Sequence, residues 1–246
     1  MHRLLVTSEH LGQDAVLLPK DAAHHLKVLR PKAGEEIELF DGQGRTRVYC
    51  WNEGTLASAG PIAQLPARPF ALTLFACVTK GSRWDWTIEK AVELGVARIV
   101  PVISDRCIVR LAPNERAAKA ERWRRIAEDA ARQSDAVWLP DVLEAVDFTD
   151  ALRLVKSCDR VFVGALTNPP PAPLMTSASN FLTAGGRPNG SLGLFVGPEG
   201  DFTPEELSAL LEIATPTSFG PTILRAETAA IFGLSVLAGV CHTSTP

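Results

Sequence analysis

Hydrophobic and polar positions follow two different patterns along this chain, and the change falls near residue 68. Before it, apolar residues recur at every second position in short segments such as 36–40 and 45–51. This is the period of half-buried strands. The turn sequence Asp41-Gly42-Gln43-Gly44 between these two segments predicts a hairpin. One helix is predicted over 21–29, capped by Asp21 and closed by Pro31. Residues 1–68 therefore predict a small domain built mainly of strands.

After residue 68, apolar strand segments alternate with amphipathic helical ones. Strands are predicted at 71–78, 98–103, 137–139, 160–165 and 192–196. Helices are predicted from Trp84 to a stop at Gly95, and over 115–133, 148–155, 204–213 and 227–241. Repeated strand–helix units of this length are typical of a parallel sheet with helices on both faces. The predicted fold class is α/β, with a second domain over 69–246.

Composition narrows the classes of function. The 246 residues carry 25 Lys and Arg against 28 Asp and Glu, a net charge of −3, so a polyanion must meet a local basic patch. The five cysteines are scattered without a C-x-x-C pair, which argues against a disulfide framework or a structural zinc site. The N-terminal residues contain no apolar run long enough for a signal peptide, and the longest apolar stretch, from Ala229 to Cys241, is too short for a membrane span. We expect a soluble cytoplasmic protein without a metal or membrane partner.

The segment after the strand at 192–196 carries the first candidate chemistry. The turn Gly197-Pro198-Glu199-Gly200 is followed by a helix that Thr203 caps and Glu206 closes with a capping box. In open α/β sheets, ligands gather at the carboxyl ends of strands, where this turn lies. The alternative interpretation is a strand–helix connection that binds nothing.

The second candidate segment runs from Phe219 to the helix that opens at Glu227. Its Gly-Pro turn leads to Arg225, which is suited to contact a phosphate or a substrate. The alternative is a surface ion pair between Arg225 and Glu227. A third segment, Thr79-Lys80-Gly81-Ser82, lacks the spacing of a phosphate-binding loop or of a dinucleotide-binding turn.

Taken in order, these segments resemble the RsmE family of ribosomal RNA methyltransferases in the SPOUT (trefoil-knot) superfamily. The resemblance covers nearly the whole chain. It is carried by His24-His25-Leu26, Val28-Leu29-Arg30, Phe40-Asp41-Gly42, Lys80-Gly81, 89–96, 99–101, Gly197-Pro198-Glu199-Gly200, Gly220-Pro221 and 224–229. It implies a PUA-like β-barrel for RNA over 1–68, a knotted SPOUT methyltransferase domain over 69–246, and a homodimer.

The resemblance also implies a reaction. It is the methylation of N3 of a uridine near the 3′ end of 16S (small-subunit) ribosomal RNA, with S-adenosyl-L-methionine as donor. Two alternatives remain at this point. One is a knotted methyltransferase acting on a ribose 2′-OH or on transfer RNA, and the other is a non-catalytic RNA-binding relative.

The residues expected at the site fall into three groups. The cofactor group comprises Leu166, Phe195, Gly197, Pro198, Glu199, Gly200, Phe219, Gly220, Ile223, Leu224, Arg225, Glu227, Thr228 and Ala229. Glu199 is the candidate general base, and Arg225 is a candidate to stabilise an anionic uracil or hold a phosphate. The cations available for RNA are Lys27, Arg30, Lys32, Lys80, Arg122, Arg125 and Arg132, with ordinary solvated charges as the alternative.

Four positions depart from the family pattern. Asp201 stands where the family has a last glycine, Thr222 where it has an arginine, Ala226 where it has a threonine, and Arg132 where it often has an acid. The cofactor segments therefore match the family better than the RNA-contacting positions do.

Overall fold

A computed structural model of the chain describes residues 1–18, 20–52, 54–67, 70–184 and 190–243. The side chains of residues 20, 21, 25, 27, 29, 242 and 243 lie outside this description, and with them the predicted cap at Asp21. The chain divides into two compact units. The smaller comprises Met1–Ala67 and Glu128–Leu139, and the larger comprises Arg68–Ala127 and Pro140–Pro246.

The smaller unit is built on a six-stranded sheet. Its elements are β1 (His2–Leu5), α1 (Ser8–Leu11), β2 (Ala15–Val16), α2 (Lys20–Leu29), β3 (Glu36–Phe40), β4 (Arg45–Asn52), β5 (Thr55–Ser58) and β6 (Ala63–Gln64). The strand order is β1-β3-β4-β5-β2, with β6 paired to β4. Strands β1 and β3 are parallel and the other pairs are antiparallel. The predicted β3–β4 hairpin and helix α2 are confirmed.

The turn of that hairpin explains why two glycines stand there. A Cβ on Gly42 would lie 2.6 Å from the Leu139 side chain, and one on Gly44 would lie 2.3 Å from the Trp138 ring. Both glycines also have positive φ, 72° and 86°. The predicted strand at 137–139 is therefore wrong. This segment forms a single bridge to the turn and packs on it instead of joining the larger sheet.

The larger unit alternates strands and helices. Its elements are β7 (Ala71–Cys77), α3 (Ser82–Glu93), β8 (Arg98–Ile103), α4 (Pro113–Gln133, whose last turns group with the smaller unit), β9 (Asp141–Val142), β10 (Val146–Asp147), α5 (Phe148–Val155), β11 (Arg160–Gly164), α6 (Leu174–Thr183), β12 (Ser191–Val196), α7 (Pro204–Leu211), β13 (Thr215–Thr217) and α8 (Ala226–Thr243).

The predicted parallel sheet is confirmed, and its strand order is β10-β8-β7-β12-β11-β13, with β9 paired to β8. Strand β12 enters between β7 and β11, so its side chains are buried on both faces. Phe75 and Phe195 stack across β7 and β12 with ring centroids 5.6 Å apart. Helix α8 packs on the same two strands, where Gly233 allows close approach to Leu194.

The sequence did not predict four elements of the larger unit, which are β9, β10, α6 and β13. Helix α6 follows a Pro-rich connection, and β13 has three residues with Pro216 at its centre. Within the described residues, no helix is both long and apolar enough to cross a membrane.

Candidate functional site

Three neighbouring strands of the larger sheet end at one edge, and a cavity of about 300 Å³ lies there. Strands β11, β12 and β13 end at Gly164, Val196 and Thr217, which all line the cavity. The loop after β12 and the loop between β13 and α8 complete the wall. The carboxyl edge of a parallel sheet is where α/β proteins place ligands.

The loop after β12 is held in a defined conformation. The backbone N–H of Asp201 donates to the carbonyl of Pro198 (3.0 Å) and closes the turn. A Cβ on Gly197 would lie 2.9 Å from the Phe202 ring, so this position needs glycine because an aromatic side chain packs against it. The predicted capping box is confirmed: the Thr203 hydroxyl accepts from the N–H of Glu206, whose carboxylate accepts from the N–H of Thr203.

The turn after β8 supports this loop from the other side. The Arg106 guanidinium donates to the carbonyls of Gly200 and Phe202, both at 3.1 Å. The backbone N–H of Asp105 donates to Glu206 Oε1 at 2.9 Å. The loop is therefore fixed by hydrogen bonds from a second strand end, which preorganises the cavity wall.

Two buried cysteines lie in the same region without lining the cavity. The Cys77 thiol donates to the Ser104 hydroxyl (3.4 Å), and the backbone N–H of Ser104 donates to Cys107 Sγ (3.3 Å). Hydrogen bonding with Cys77 and then with Ser104 lowers the pKa of Cys107 to about 6, although burial opposes this. Burial raises the pKa of Cys77 well above its usual value.

The loop between β13 and α8 supplies an apolar wall. Ile223 is 80% exposed and Leu166, on the opposite segment, is 64% exposed, although both are large apolar residues that line the cavity. Phe219 packs so closely on Gly164 that a Cβ there would lie 2.6 Å from its ring. Exposed apolar side chains that line a cavity are typical of a binding site for an organic ligand.

The charged groups of the site come from three segments. Glu199 and Arg225 line the cavity. Arg83, in the first turn of α3, lies 3.6 Å from Glu199 Oε1 through Nη1 and 3.8 Å from Glu227 Oε1 through Nε. Arg225 is exposed and forms no ion pair with another described residue. The alternative pair between Arg225 and Glu227 is therefore not formed, because Glu227 faces Arg83.

Ten of the fourteen residues expected to bind the cofactor line the cavity. They are Leu166, Gly197, Pro198, Glu199, Phe219, Gly220, Ile223, Leu224, Arg225 and Ala229. The other four do not. Phe195 is fully buried in an aromatic cluster with Phe75, Phe148 and Phe202. The Cβ direction of Gly200 points to Arg106, and Glu227 and Thr228 lie in the first turn of α8.

The sequence did not indicate eight further wall residues. They are Gly164, Ala165, Val196, Asp201, Thr217, Ser218, Thr222 and Ala226. Four of them lie at the ends of β11 and β13, whose neighbouring positions in the sheet are set by long-range pairing. A sequence signal existed for Asp201, Thr222 and Ala226, which stand within the two motifs.

The cations expected to meet RNA differ in their surroundings. Arg122 forms a two-pronged ion pair with Asp85 (2.5 and 2.6 Å), and Arg132 pairs with Asp129. The remaining described members, Arg30, Lys32, Lys80 and Arg125, are exposed. The side chain of Lys27 lies outside the described residues.

No group of three or more His, Cys, Asp or Glu side chains able to hold a metal occurs in the described part of the chain.

Comparison with known proteins gives a consistent result for both ends of the chain. Residues 66–238 match the family model described as an RNA methyltransferase domain, and residues 18–50 match that of an RNA methyltransferase PUA domain. Ribosomal RNA small subunit methyltransferase E of Synechocystis is 30% identical over 241 residues, which is 95% of this chain and 76% of that protein. The enzyme of the same name from Mycobacterium tuberculosis is 29% identical over 235 residues, or 92% and 86% of the two chains.

A solved structure is similar over the same length. The crystal structure of a ribosomal RNA small subunit methyltransferase E from Neisseria gonorrhoeae, bound to S-adenosyl methionine, has a TM-score of 0.77 to this chain. The two sequences are 30% identical, and the match covers 96% of this chain and 95% of that one.

Proposed function

This chain belongs to the family of RNA methyltransferases that includes ribosomal RNA small subunit methyltransferase E, and we propose that it methylates N3 of a uridine near the 3′ end of 16S ribosomal RNA. S-adenosylmethionine is the methyl donor. The observation that carries the proposal is the family match over 66–238 together with a cavity at the carboxyl edge of the same domain.

The cavity fits the donor by its chemistry. Exposed Leu166 and Ile223 offer apolar surface for the adenine ring, and the Gly197–Gly200 turn offers backbone groups for polar edges. We propose that the ten wall residues expected from the sequence hold the donor. When bound, S-adenosylmethionine supplies an electrophilic methyl group.

The protein must handle one proton in this reaction. Uracil N3 carries a hydrogen at neutral pH, which has to leave for the nitrogen lone pair to attack. We propose Glu199 as the acceptor of this proton, because this acidic residue lines the cavity. We propose that Arg225 stabilises the negative charge on the uracil oxygens, because this residue also lines the cavity and its guanidinium has no carboxylate partner among the described residues.

The proposal extends to the RNA and to assembly. Residues 1–68 act as a PUA-like RNA-binding domain, and residues 69–246 act as a knotted SPOUT domain. The RNA meets Lys27, Arg30, Lys32, Lys80, Arg122, Arg125 and Arg132. The enzyme works as a homodimer on the small ribosomal subunit in the cytoplasm.

The test is product analysis. Small ribosomal subunits from a strain that lacks this gene are incubated with the purified protein and isotope-labelled S-adenosylmethionine, and the nucleosides are analysed by mass spectrometry. We expect 3-methyluridine at a single position of 16S RNA. Label in a 2′-O-methylated nucleoside or in transfer RNA would contradict N3 methylation of 16S RNA and would indicate a different methylation reaction. Cofactor binding without label in any RNA would indicate a non-catalytic relative.

A further inference from the structure

Arg83 has no role in the expectations drawn from the sequence, yet it links two acidic residues beside the cavity. It stands in the first turn of α3, Glu199 follows β12, and Glu227 stands in the first turn of α8. One nitrogen of its guanidinium, Nη1, lies 3.6 Å from Glu199 Oε1, and another, Nε, lies 3.8 Å from Glu227 Oε1. One cation therefore faces two carboxylates that come from separate elements.

Glu227 is the more enclosed of the two acids. Its side chain is 12% exposed, and its Oε2 is buried without a hydrogen-bond partner among the described residues. A carboxylate in such surroundings is costly unless a positive charge lies close to it. The positive end of the α8 dipole and the guanidinium of Arg83 provide that charge. Charge attraction therefore holds the Arg83 guanidinium near Glu227.

The second nitrogen of the guanidinium, Nη1, lies near Glu199 but too far away to form a hydrogen bond with its carboxylate. At 3.6 Å the pair is an ion pair rather than a hydrogen bond. The Glu199 carboxylate is thus attracted to the half-exposed Arg83 guanidinium without accepting a hydrogen bond from it, so its oxygens can still accept a proton from a substrate.

On this basis, and resting on the proposed function, we propose that Arg83 is a positioning residue that holds the Glu199 carboxylate at the cavity wall for removal of the uracil N3 proton. In this step the N–H bond breaks, its electron pair stays on N3, and the proton passes to a carboxylate oxygen of Glu199. The proton is later released to water. Arginine suits this position because it presents two nitrogens to two acids at once, which an ammonium group cannot do in the same geometry.

The test compares Arg83→Gln and Arg83→Lys with the wild type. The control is Arg153→Gln, which removes an exposed arginine on α5 whose one ion pair among the described residues is with Asp150. We measure kcat and KM on small subunits and the Kd for S-adenosylmethionine by calorimetry. For Arg83→Gln we expect kcat to fall between about tenfold and a hundredfold, with the cofactor Kd changed by less than about twofold. Arg83→Lys restores part of the loss, and Arg153→Gln equals the wild type.

The comparison of kcat with the binding constants separates positioning from mere support of the fold. A residue that positions the proton acceptor acts on kcat, so in Arg83→Gln the KM for small subunits should stay within about twofold of the wild type. A fall in kcat that is accompanied by an equal loss of cofactor affinity indicates support of the fold and overturns the proposal.

A double variant identifies the group through which Arg83 acts. If it acts through Glu199, then Glu199→Gln combined with Arg83→Gln is no slower than Glu199→Gln alone. Losses that multiply place the effect of Arg83 elsewhere, for example on an RNA phosphate, and overturn the proposal. If Arg83→Gln fails to fold, the Arg83→Lys variant is examined for a partial loss of kcat at an unchanged cofactor Kd, whose absence is equally decisive.

The product that the wild type forms tests the proposed function separately from the role of Arg83. If the wild type makes 3-methyluridine and Arg83→Gln matches it in kcat, the role of Arg83 is excluded and the proposed function stands. If the wild type makes no 3-methyluridine, the proposed function fails and the role of Arg83 fails with it.

Discussion

Arg122 and Arg125 lie on the same helix, α4, but their guanidinium groups have different surroundings. Arg122 is neutralised by a two-pronged ion pair with Asp85, whereas Arg125 is exposed and has no ion pair with another described residue. An RNA phosphate competes with a carboxylate for the first arginine and with water alone for the second. The two arginines should therefore contribute unequally to the free energy of RNA binding.

This difference predicts unequal effects on RNA binding. Arg125→Ala should weaken the binding of small-subunit RNA and flatten the slope of log affinity against log salt by roughly one unit, as one phosphate contact is lost. Arg122→Ala should flatten it less, because its charge is already paired. A salt titration of RNA affinity checks both, and the cofactor Kd should stay unchanged in each. If Arg125→Ala and the wild type have the same slope of log affinity against log salt, Arg125 does not contact an RNA phosphate.

At the scale of single elements, α7 begins where the cavity loop ends. Its capping box joins Thr203 and Glu206, and the second oxygen of Glu206 accepts from the backbone N–H of Asp105 at 2.9 Å. One helix start thus fixes the end of the β12 loop and the turn after β8. The cap belongs to the support of the cavity as well as to the helix.

We predict that Thr203→Ala lowers the free energy of unfolding by about 1 kcal/mol, because the N–H of Glu206 loses its acceptor. Thr203→Ser keeps the oxygen and should restore most of this loss. Urea denaturation monitored by fluorescence measures both variants. If the alanine and serine variants have the same midpoint, the side chain of Thr203 contributes nothing through its hydrogen bond.

At the scale of the whole molecule, assembly bears on α8. Leu234, Leu237 and Val240 of this helix are buried within the protomer, while Phe232 remains 40% exposed and packs on Phe219 of the cavity wall (5.9 Å between ring centroids). Part of the apolar circumference of α8 is therefore explained by the core of the larger unit. The exposed part is what the proposed homodimer covers.

We predict that light scattering at micromolar concentration gives twice the chain mass of 26.5 kDa. Phe232→Ser should shift the equilibrium toward the monomer, because a large apolar side chain is removed from the interface. Trp86→Ser, which changes an equally exposed aromatic residue (41%) on α3, is the matched control. A wild-type mass of one chain at this concentration contradicts the homodimer.

The sequence by itself determined the elements that depend on local patterns. Strand β8 over Arg98–Ile103 and helix α5 over Phe148–Val155 have the predicted bounds, because their hydrophobic periods are read from neighbouring positions. The capping box of α7 was predicted for the same reason, since its partners stand three residues apart. Most residues of the cavity wall were also predicted, because they occur in two contiguous motifs.

Only the tertiary structure decided which of these segments meet. The insertion of β12 between β7 and β11, and the addition of β13 at the edge, bring the ends of three strands to one cavity. The segment 137–139 has the composition of a strand, but the glycine turn of the β3–β4 hairpin supplies its packing partner. Arg83 meets Glu199 and Glu227 for the same reason: their separation in space depends on sheet order and helix packing, and long-range contacts of this kind have no period along the chain.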